Sequence, residues 1–226
     1  MHIEPGVVVG AKLVLGYVTA AGAIGVSTKL ALDAVKQKGL YQLLARTLIA
    51  SLMVFCFFEV MPHYPVGVSE VHFILGSTLF LMFGAAPAAL GLAFGLLFQG
   101  LFFAPADLPQ YGMNVTSILV PMLLIGEIAK RSIPANMAYK DVSYSQALKL
   151  STVYQGSVVA WVGFWAVYGS GISVDNLAQI ASFSLAYMSV IVIEPMVDLG
   201  VLAAVKNLAR LEQSGLVNPR LYQAAA

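Results

Sequence analysis

The amino-acid sequence predicts an all-α fold, a bundle of transmembrane helices embedded in the lipid bilayer. Hydrophobic residues make up 59% of the 226 residues and charged residues only 10%, whereas soluble domains contain about 25% charged residues. The mean hydropathy is correspondingly high, at +0.84. A spanning helix needs roughly 20 mainly apolar residues, and about seven segments meet that description. We therefore expect one transmembrane domain over residues 1–226, in the inner or plasma membrane.

Seven apolar segments follow one another along the chain, separated by polar residues, proline and glycine. The predicted helices cover residues 7–29, 41–61, 71–84, 86–104, 113–129, 147–170 and 176–205. The third and fourth are short, and residues 84–87 (Gly-Ala-Ala-Pro) mark the break between them. The longest polar connection is 130–146, and residues 206–226 are expected to form a polar cytoplasmic tail.

Lysine and arginine occupy alternate connections, which predicts the orientation of the bundle. Every basic residue except Lys12 lies near the first connection, near the fifth connection or in the tail. Loops 62–70, 105–112 and 171–175 contain no lysine or arginine. With seven spans, this pattern places the basic connections in the cytoplasm and the N-terminus outside.

The first two residues, Met1 and His2, form a potential metal chelator. The terminal amino group, the His2 amide nitrogen and the His2 imidazole can close rings on one ion. The amine titrates near ~7.7–8.0, so a metal can displace its proton at neutral pH. No cleavable signal precedes the first helix, and we expect Met1 to be retained before the bulky His2. The alternative is a solvated terminus that binds nothing.

The three histidines, His2, His63 and His72, all fall at the predicted outer ends of their segments. A single histidine in such a position is usually an interfacial residue. Three on one face, one of them beside a free amine, favour a metal site. Nitrogen-rich, near-planar coordination suits Ni(II), Cu(II) or low-spin Co(II), whereas Zn(II) prefers a tetrahedron.

Five motifs along the chain are similar, in the same order, to those of the CbiM/NikM family. They are the Met-His-Ile start at residues 1–3, the Pro-Val-Gly-Val-Ser-Glu-Val-His run at 65–72, Leu-Leu-Phe-Gln-Gly-Leu-Phe at 96–102, Gly-Met-Asn at 112–114, and Ile-Glu-Pro at 193–195. Members of this family are the substrate-binding membrane subunits of energy-coupling-factor transporters for cobalt and nickel.

The resemblance implies a square of nitrogen ligands around Co²⁺ or Ni²⁺ as the transported ion, with no prosthetic group. The ligands would be the amine of Met1, the amide and imidazole of His2, and the imidazole of His72. The resemblance also implies that Asn114 holds the N-terminal segment and the metal pocket.

Three further polar residues are candidates for the pocket around these ligands, namely Gln99, Ser69 and His63. Gln99 either supports the ligands or bonds neighbouring helices, as buried polar groups must. His63 is either a capture residue or part of a loop. Among the acidic residues, Glu194 is predicted to lie deep in the membrane and Asp198 near a helix end, where solvation is cheap.

The resemblance also implies partner proteins. The sequence contains no Gly-x-x-x-x-Gly-Lys-[Ser/Thr] motif, so we expect no ATP hydrolysis and no enzyme activity by this chain. Separate ATPase subunits and a membrane coupling (T) subunit would then drive transport, with a small accessory membrane subunit as a further candidate partner. Without a basic cluster, no nucleic-acid partner is expected.

Two other classes of function compete with transport. A membrane sensor or assembly factor would bind the metal without moving it. A membrane metalloenzyme would need an open coordination position and a placed acid or base. Three scattered histidines without a His-x-x-x-His pair make the enzyme the least favoured of the three.

Overall fold

Helices dominate residues 3–224, which are the part of the chain that the computed structural model describes. The helices are α1 Leu13–Lys38, α2 Leu40–Phe55, α3 Gly76–Phe83, α4 Ala85–Phe102, α5 Tyr111–Ser132, α6 Tyr144–Ser170, α7 Val174–Lys206 and α8 Ala209–Ser214. A π-helical turn, Cys56–Val60, prolongs α2. The strands β1 Tyr64–Val66 and β2 Ser69–Val71 form one antiparallel hairpin. Apart from this hairpin, the all-α prediction is confirmed.

The outer faces of the long helices carry large apolar side chains. Leu48 in α2, Leu185 in α7 and Val192 in α7 are each more than half exposed. Such continuous apolar surface requires lipid around it. Within the described residues, five helical segments are long and apolar enough to cross a membrane: Gly10–Lys38, Leu40–Val60, Ala85–Phe102, Pro105–Ser132 and Val174–Lys206. The protein is therefore a multi-pass membrane protein.

The expected seven spans and the outward N-terminus stay predictions. With 8 residues, α3 is about 12 Å long at 1.5 Å per residue, too short to cross a bilayer alone. Seven of its residues are buried, so it is a short helix enclosed by the bundle. The helix α6 has sufficient length, 27 residues, but is not among the five segments that are apolar enough to cross a membrane.

The break predicted between the third and fourth helices lies at Gly84. Its φ of +87° is a conformation that only glycine adopts readily, and it separates α3 from α4. In α4, a methyl group added at Gly91 would lie 2.5 Å from the Cβ of Ala50, and one at Gly95 would lie 2.7 Å from Val54 Cγ1. Small residues thus allow α4 to pack closely on α2.

Two predicted helix starts are wrong. The third helix begins at Gly76 instead of residue 71 because residues 64–71 form the hairpin, which turns at Gly67 with φ +62°. His72 therefore precedes α3 and does not open it. The first helix begins at Leu13, after a 3-10 turn, instead of at residue 7 because the preceding segment pairs with residues 68 and 69.

Asp198 also differs from the expectation of a solvated position near a helix end. It is 1% exposed. Because α7 continues to Lys206, Asp198 lies about two turns inside the helix. Glu194, predicted to lie deep, is 0% exposed.

The segments without basic residues meet at one end of the bundle. Tyr17 donates from its hydroxyl to the Pro109 carbonyl at 3.0 Å. Lys12, the exception to the basic pattern, donates to the Gly169 carbonyl near the end of α6 at 2.9 Å and lies over the Tyr168 ring. A neighbouring carbonyl and an aromatic face thus partner its charge.

The segments rich in basic residues meet at the other end, where the tail packs. Arg46 Nε donates to the Gly215 carbonyl at 2.8 Å, and a guanidinium nitrogen of Arg220 donates to the Ile133 carbonyl at 3.1 Å. The tail is not only a polar surface segment, because it packs Leu221 fully into the interior. This grouping of segments agrees with the predicted orientation.

Candidate metal-binding site

The N-terminal segment is fastened to the bundle by its backbone. Ile3 forms an antiparallel bridge with Ser69 at the start of β2. The Ile3 amide also donates to Asn114 Oδ1 at 3.0 Å, and the Glu4 amide donates to the Val68 carbonyl at 3.3 Å. Asn114 is buried in the first turns of α5. A buried side-chain acceptor and a strand edge therefore hold the residues that follow the predicted chelator.

Apolar side chains also anchor the N-terminal segment. Ile3 is 1% exposed and packs in a small core with Val8, Met113 and Trp165. The indole of Trp165 donates to Ser117 Oγ at 3.1 Å, which satisfies its polar atom. Because Ile3 is anchored by both backbone and side chain, the chain enters the predicted site at a fixed point.

His72 lies between β2 and α3, with its side chain buried. Its Nε2 lies 2.9 Å from Glu70 Oε2. An ionised carboxylate only accepts hydrogen bonds, so in this contact Nε2 donates and the ring lone pair lies on Nδ1. Carboxylates orient metal-binding histidines in this way.

The structure brings His63 beside His72, although nine residues and a chain reversal separate them. The two rings stack with centroids 4.9 Å apart and 20° between their planes. Phe58 contacts the His72 ring at a centroid distance of 4.9 Å. His63 Nδ1 lies 3.2 Å from the Met61 carbonyl, which can only accept. The sequence left His63 without a defined neighbour, and the hairpin supplies one.

Gln99 lies in α4, near Asn114 of α5. Its Nε2 donates to Glu59 Oε2 at 3.3 Å. Together with Tyr111 and Asp107, Gln99 and Asn114 line a narrow cavity. Bonding to a neighbouring helix is one of the two roles that the sequence allowed for Gln99, whereas its part in supporting the ligands stays a prediction.

Carboxyl groups make the entrance to this region negative. Burial, followed by the charges of Glu70 and Asp107, raises the pKa of the Glu4 carboxyl. A cluster of negative charge raises the local concentration of cations. The region is thus suited to attracting a divalent cation.

Met1 and His2, the two predicted ligands at the terminus, lie outside the described residues. Within residues 3–224, no three His, Cys, Asp or Glu side chains come together as a potential metal site. The predicted ligand set accordingly depends on the two terminal residues and His72. Ser69, Asn114, His63 and His72 are the predicted site residues that the described structure gathers around Ile3 and the hairpin.

Comparison with protein families gives a match over most of the chain. The family model described as CbiM, cobalt uptake substrate-specific transmembrane region, matches residues 2–211. Comparisons with curated proteins and with solved structures return no match. The matched range includes the N-terminal segment, the hairpin and all seven long or buried helices.

Proposed function

Because the chain belongs to the CbiM family of cobalt-uptake transmembrane regions, we propose that it is the substrate-binding component of an energy-coupling-factor transporter that imports Co²⁺ or Ni²⁺. The ion would be held by the Met1 amine, the His2 amide and imidazole, and the His72 imidazole. Asn114 and Ser69 would position the N-terminal segment, and Gln99 and His63 would contribute to the pocket wall.

The observation that carries this proposal is the anchoring of Ile3. A bridge of this kind places the backbones of its two residues side by side. The bridge between Ile3 and Ser69 therefore ties the start of the described chain to the strand that leads to Glu70 and His72. The hydrogen bond that the Ile3 amide donates to Asn114 also fixes Ile3 against α5.

The orientation of His72 supports a ligand role for its Nδ1. Metal–nitrogen bonds are about 2 Å long, so a ligating ring must be held closely. Glu70 holds Nε2, and Phe58 and His63 contact the ring. These contacts restrict the ring's rotation and increase the basicity of the opposite nitrogen.

Energy for uphill transport would come from partner proteins. We propose ATPase subunits and a membrane coupling subunit as partners, and a small accessory membrane subunit as a further one. Most of the basic residues lie at one end of the bundle. This end contains residue 39, which connects α1 and α2, the connection 133–143 and the packed tail. This end is the proposed cytoplasmic contact surface for the coupling subunit.

The proposal predicts energy-dependent uptake. Cells that co-express this chain with coupling and ATPase subunits should accumulate radioactive Co²⁺ or Ni²⁺, because ATP hydrolysis drives the substrate-binding component. The matched control carries an ATPase with its phosphate-binding lysine replaced, which should remove the accumulation. Tight metal binding with equal uptake in both strains would instead support the sensor or assembly role.

The proposed orientation predicts which loops are accessible from outside the cell. With the exposed native thiol removed by Cys56→Ser, Ala106→Cys should react with a membrane-impermeant thiol reagent in intact cells. Ala135→Cys should react only after lysis, because the segments with basic residues stay in the cytoplasm. Both alanines are exposed, so differences in burial do not explain the result. The reverse labelling pattern would place the metal site on the cytoplasmic side and rule out uptake.

A further inference from the structure

Two carboxyl groups, Glu194 and Asp198, are buried inside the bundle and are not among the candidate metal ligands. They lie one turn apart on α7 and face the beginning of α3. The backbone amide of Ser77 donates to Glu194 Oε1 at 3.0 Å, and the Ser77 hydroxyl donates to Asp198 Oδ2 at 2.6 Å. One serine therefore joins the two carboxyl groups.

Further donors surround the pair. Ser151 Oγ and Gln155 Nε2 lie 2.5 and 2.8 Å from Glu194 Oε2. The hydroxyl of Thr78 contacts Asp198 Oδ1. Among the described residues, neither carboxyl group forms an ion pair with lysine, arginine or histidine. Neutral donors alone therefore face both groups.

Two buried phenols border the same site. Tyr154 and Tyr187 are both 0% exposed, interact electrostatically with Glu194, and have hydroxyls without a hydrogen-bond partner among residues 3–224. The Tyr154 ring lies directly against the start of α3, because a methyl group added at Gly76 would lie 2.4 Å from its Cζ. Tyr154 and Tyr187 are the other titratable groups that face the pair, and both are acids. Two buried hydroxyls with unused hydrogen-bonding capacity thus interact electrostatically with Glu194.

The chemistry limits the charge that this site can hold. Two ionised carboxylates so close together in an apolar interior repel each other and lack water to screen them. One negative charge is well accommodated, because the hydrogen bonds and the positive end of the α3 dipole stabilise it. We propose that Glu194 and Asp198 form an internal proton-binding site that holds one proton between the two carboxyl groups at neutral pH. This site is independent of the metal role.

The proposal is tested on the purified full-length protein in detergent, without added metal. Infrared spectroscopy at neutral pH should show the C=O stretch of a protonated carboxyl group in the wild type. Glu194→Gln and Asp198→Asn should each remove that band, because the hydrogen bonds and the α3 dipole accommodate the one remaining carboxylate, which no longer faces a second negative charge. Asp175→Asn, which changes an exposed carboxyl group on the same helix, should retain it. Absence of the band in the wild type, or its persistence in either buried-site variant, would overturn the proposal.

A second measurement already tests the proposal on the wild-type protein. Unfolding releases the proton, because ordinary carboxyl groups titrate near ~4. The wild-type unfolding equilibrium constant should therefore rise as the pH increases, by up to about tenfold per pH unit for one proton. Asp175→Asn should show the same rise, and folded Glu194→Gln or Asp198→Asn should lose most of it. Stabilisation of the wild-type protein by added Na⁺ or K⁺ at neutral pH, without the rise of the unfolding constant with pH, would show that an alkali cation occupies the site and would overturn the proposal.

Discussion

Adding two residues ahead of Met1 is expected to weaken Co²⁺ and Ni²⁺ binding strongly. The loss of affinity should exceed the roughly 10- to 100-fold that follows removal of a residue that only supports a metal ligand. The extension converts the terminal amine into an amide and removes a basic lone pair from the chelate. His2→Ala should have a similar effect, because it removes the imidazole of the same chelate. Isothermal titration with each ion measures both changes.

The control uses an extension that a protease can remove to leave Met1 as the first residue. Cleavage should restore wild-type affinity, while circular dichroism should show equal helix content before and after. The fastening of Ile3 by Asn114 and Ser69 makes this control informative, because those contacts lie downstream of the extension. Tight binding by the uncleaved protein would contradict the proposed ligand set.

The second large effect is expected from His72→Phe, which keeps a ring against Phe58 and His63 but removes both ring nitrogens. Because a ligand is lost, the metal affinity should again fall by more than the roughly 10- to 100-fold that follows loss of a residue supporting a ligand. His63→Ala should cause a smaller loss, because His63 is proposed to support the His72 ring by stacking. Equilibrium dialysis with Co²⁺ and Ni²⁺ compares the variants directly.

His63→Phe separates stacking from ligation at the second histidine. It preserves an aromatic ring beside His72 without a nitrogen, so it should bind the metal better than His63→Ala. Equal and severe losses in His63→Phe and His63→Ala would show that His63 supplies a nitrogen to the metal. In that case His63, which precedes β1, would belong to the set of metal ligands.

The helices could be predicted because long apolar segments must satisfy their backbone internally in a membrane. The break at Gly84 was visible in the sequence because glycine and proline interrupt helices. The hairpin was missed because its second strand is short and continues into the apolar residues of α3. In retrospect, Gly67 between β-branched residues was the signal for a turn.

The surroundings of individual side chains were less accessible from sequence. The stacking of His63 on His72 depends on the hairpin, and the burial of Asp198 depends on how far α7 extends beyond it. Asn114 was singled out by resemblance alone, and the structure supplies its contact with Ile3. Each of these relations depends on packing between elements, which local periodicity does not encode.

The Ile3 amide is synthesised long before its acceptor Asn114, which lies 111 residues further along the chain. This hydrogen bond therefore cannot form until α5 has been synthesised and inserted. Contacts of such large sequence separation form late, after the loops between them have closed. The anchor of the proposed metal-binding terminus is thus completed only when most of the bundle exists, so a partly made chain would present its histidines without the contacts that hold them.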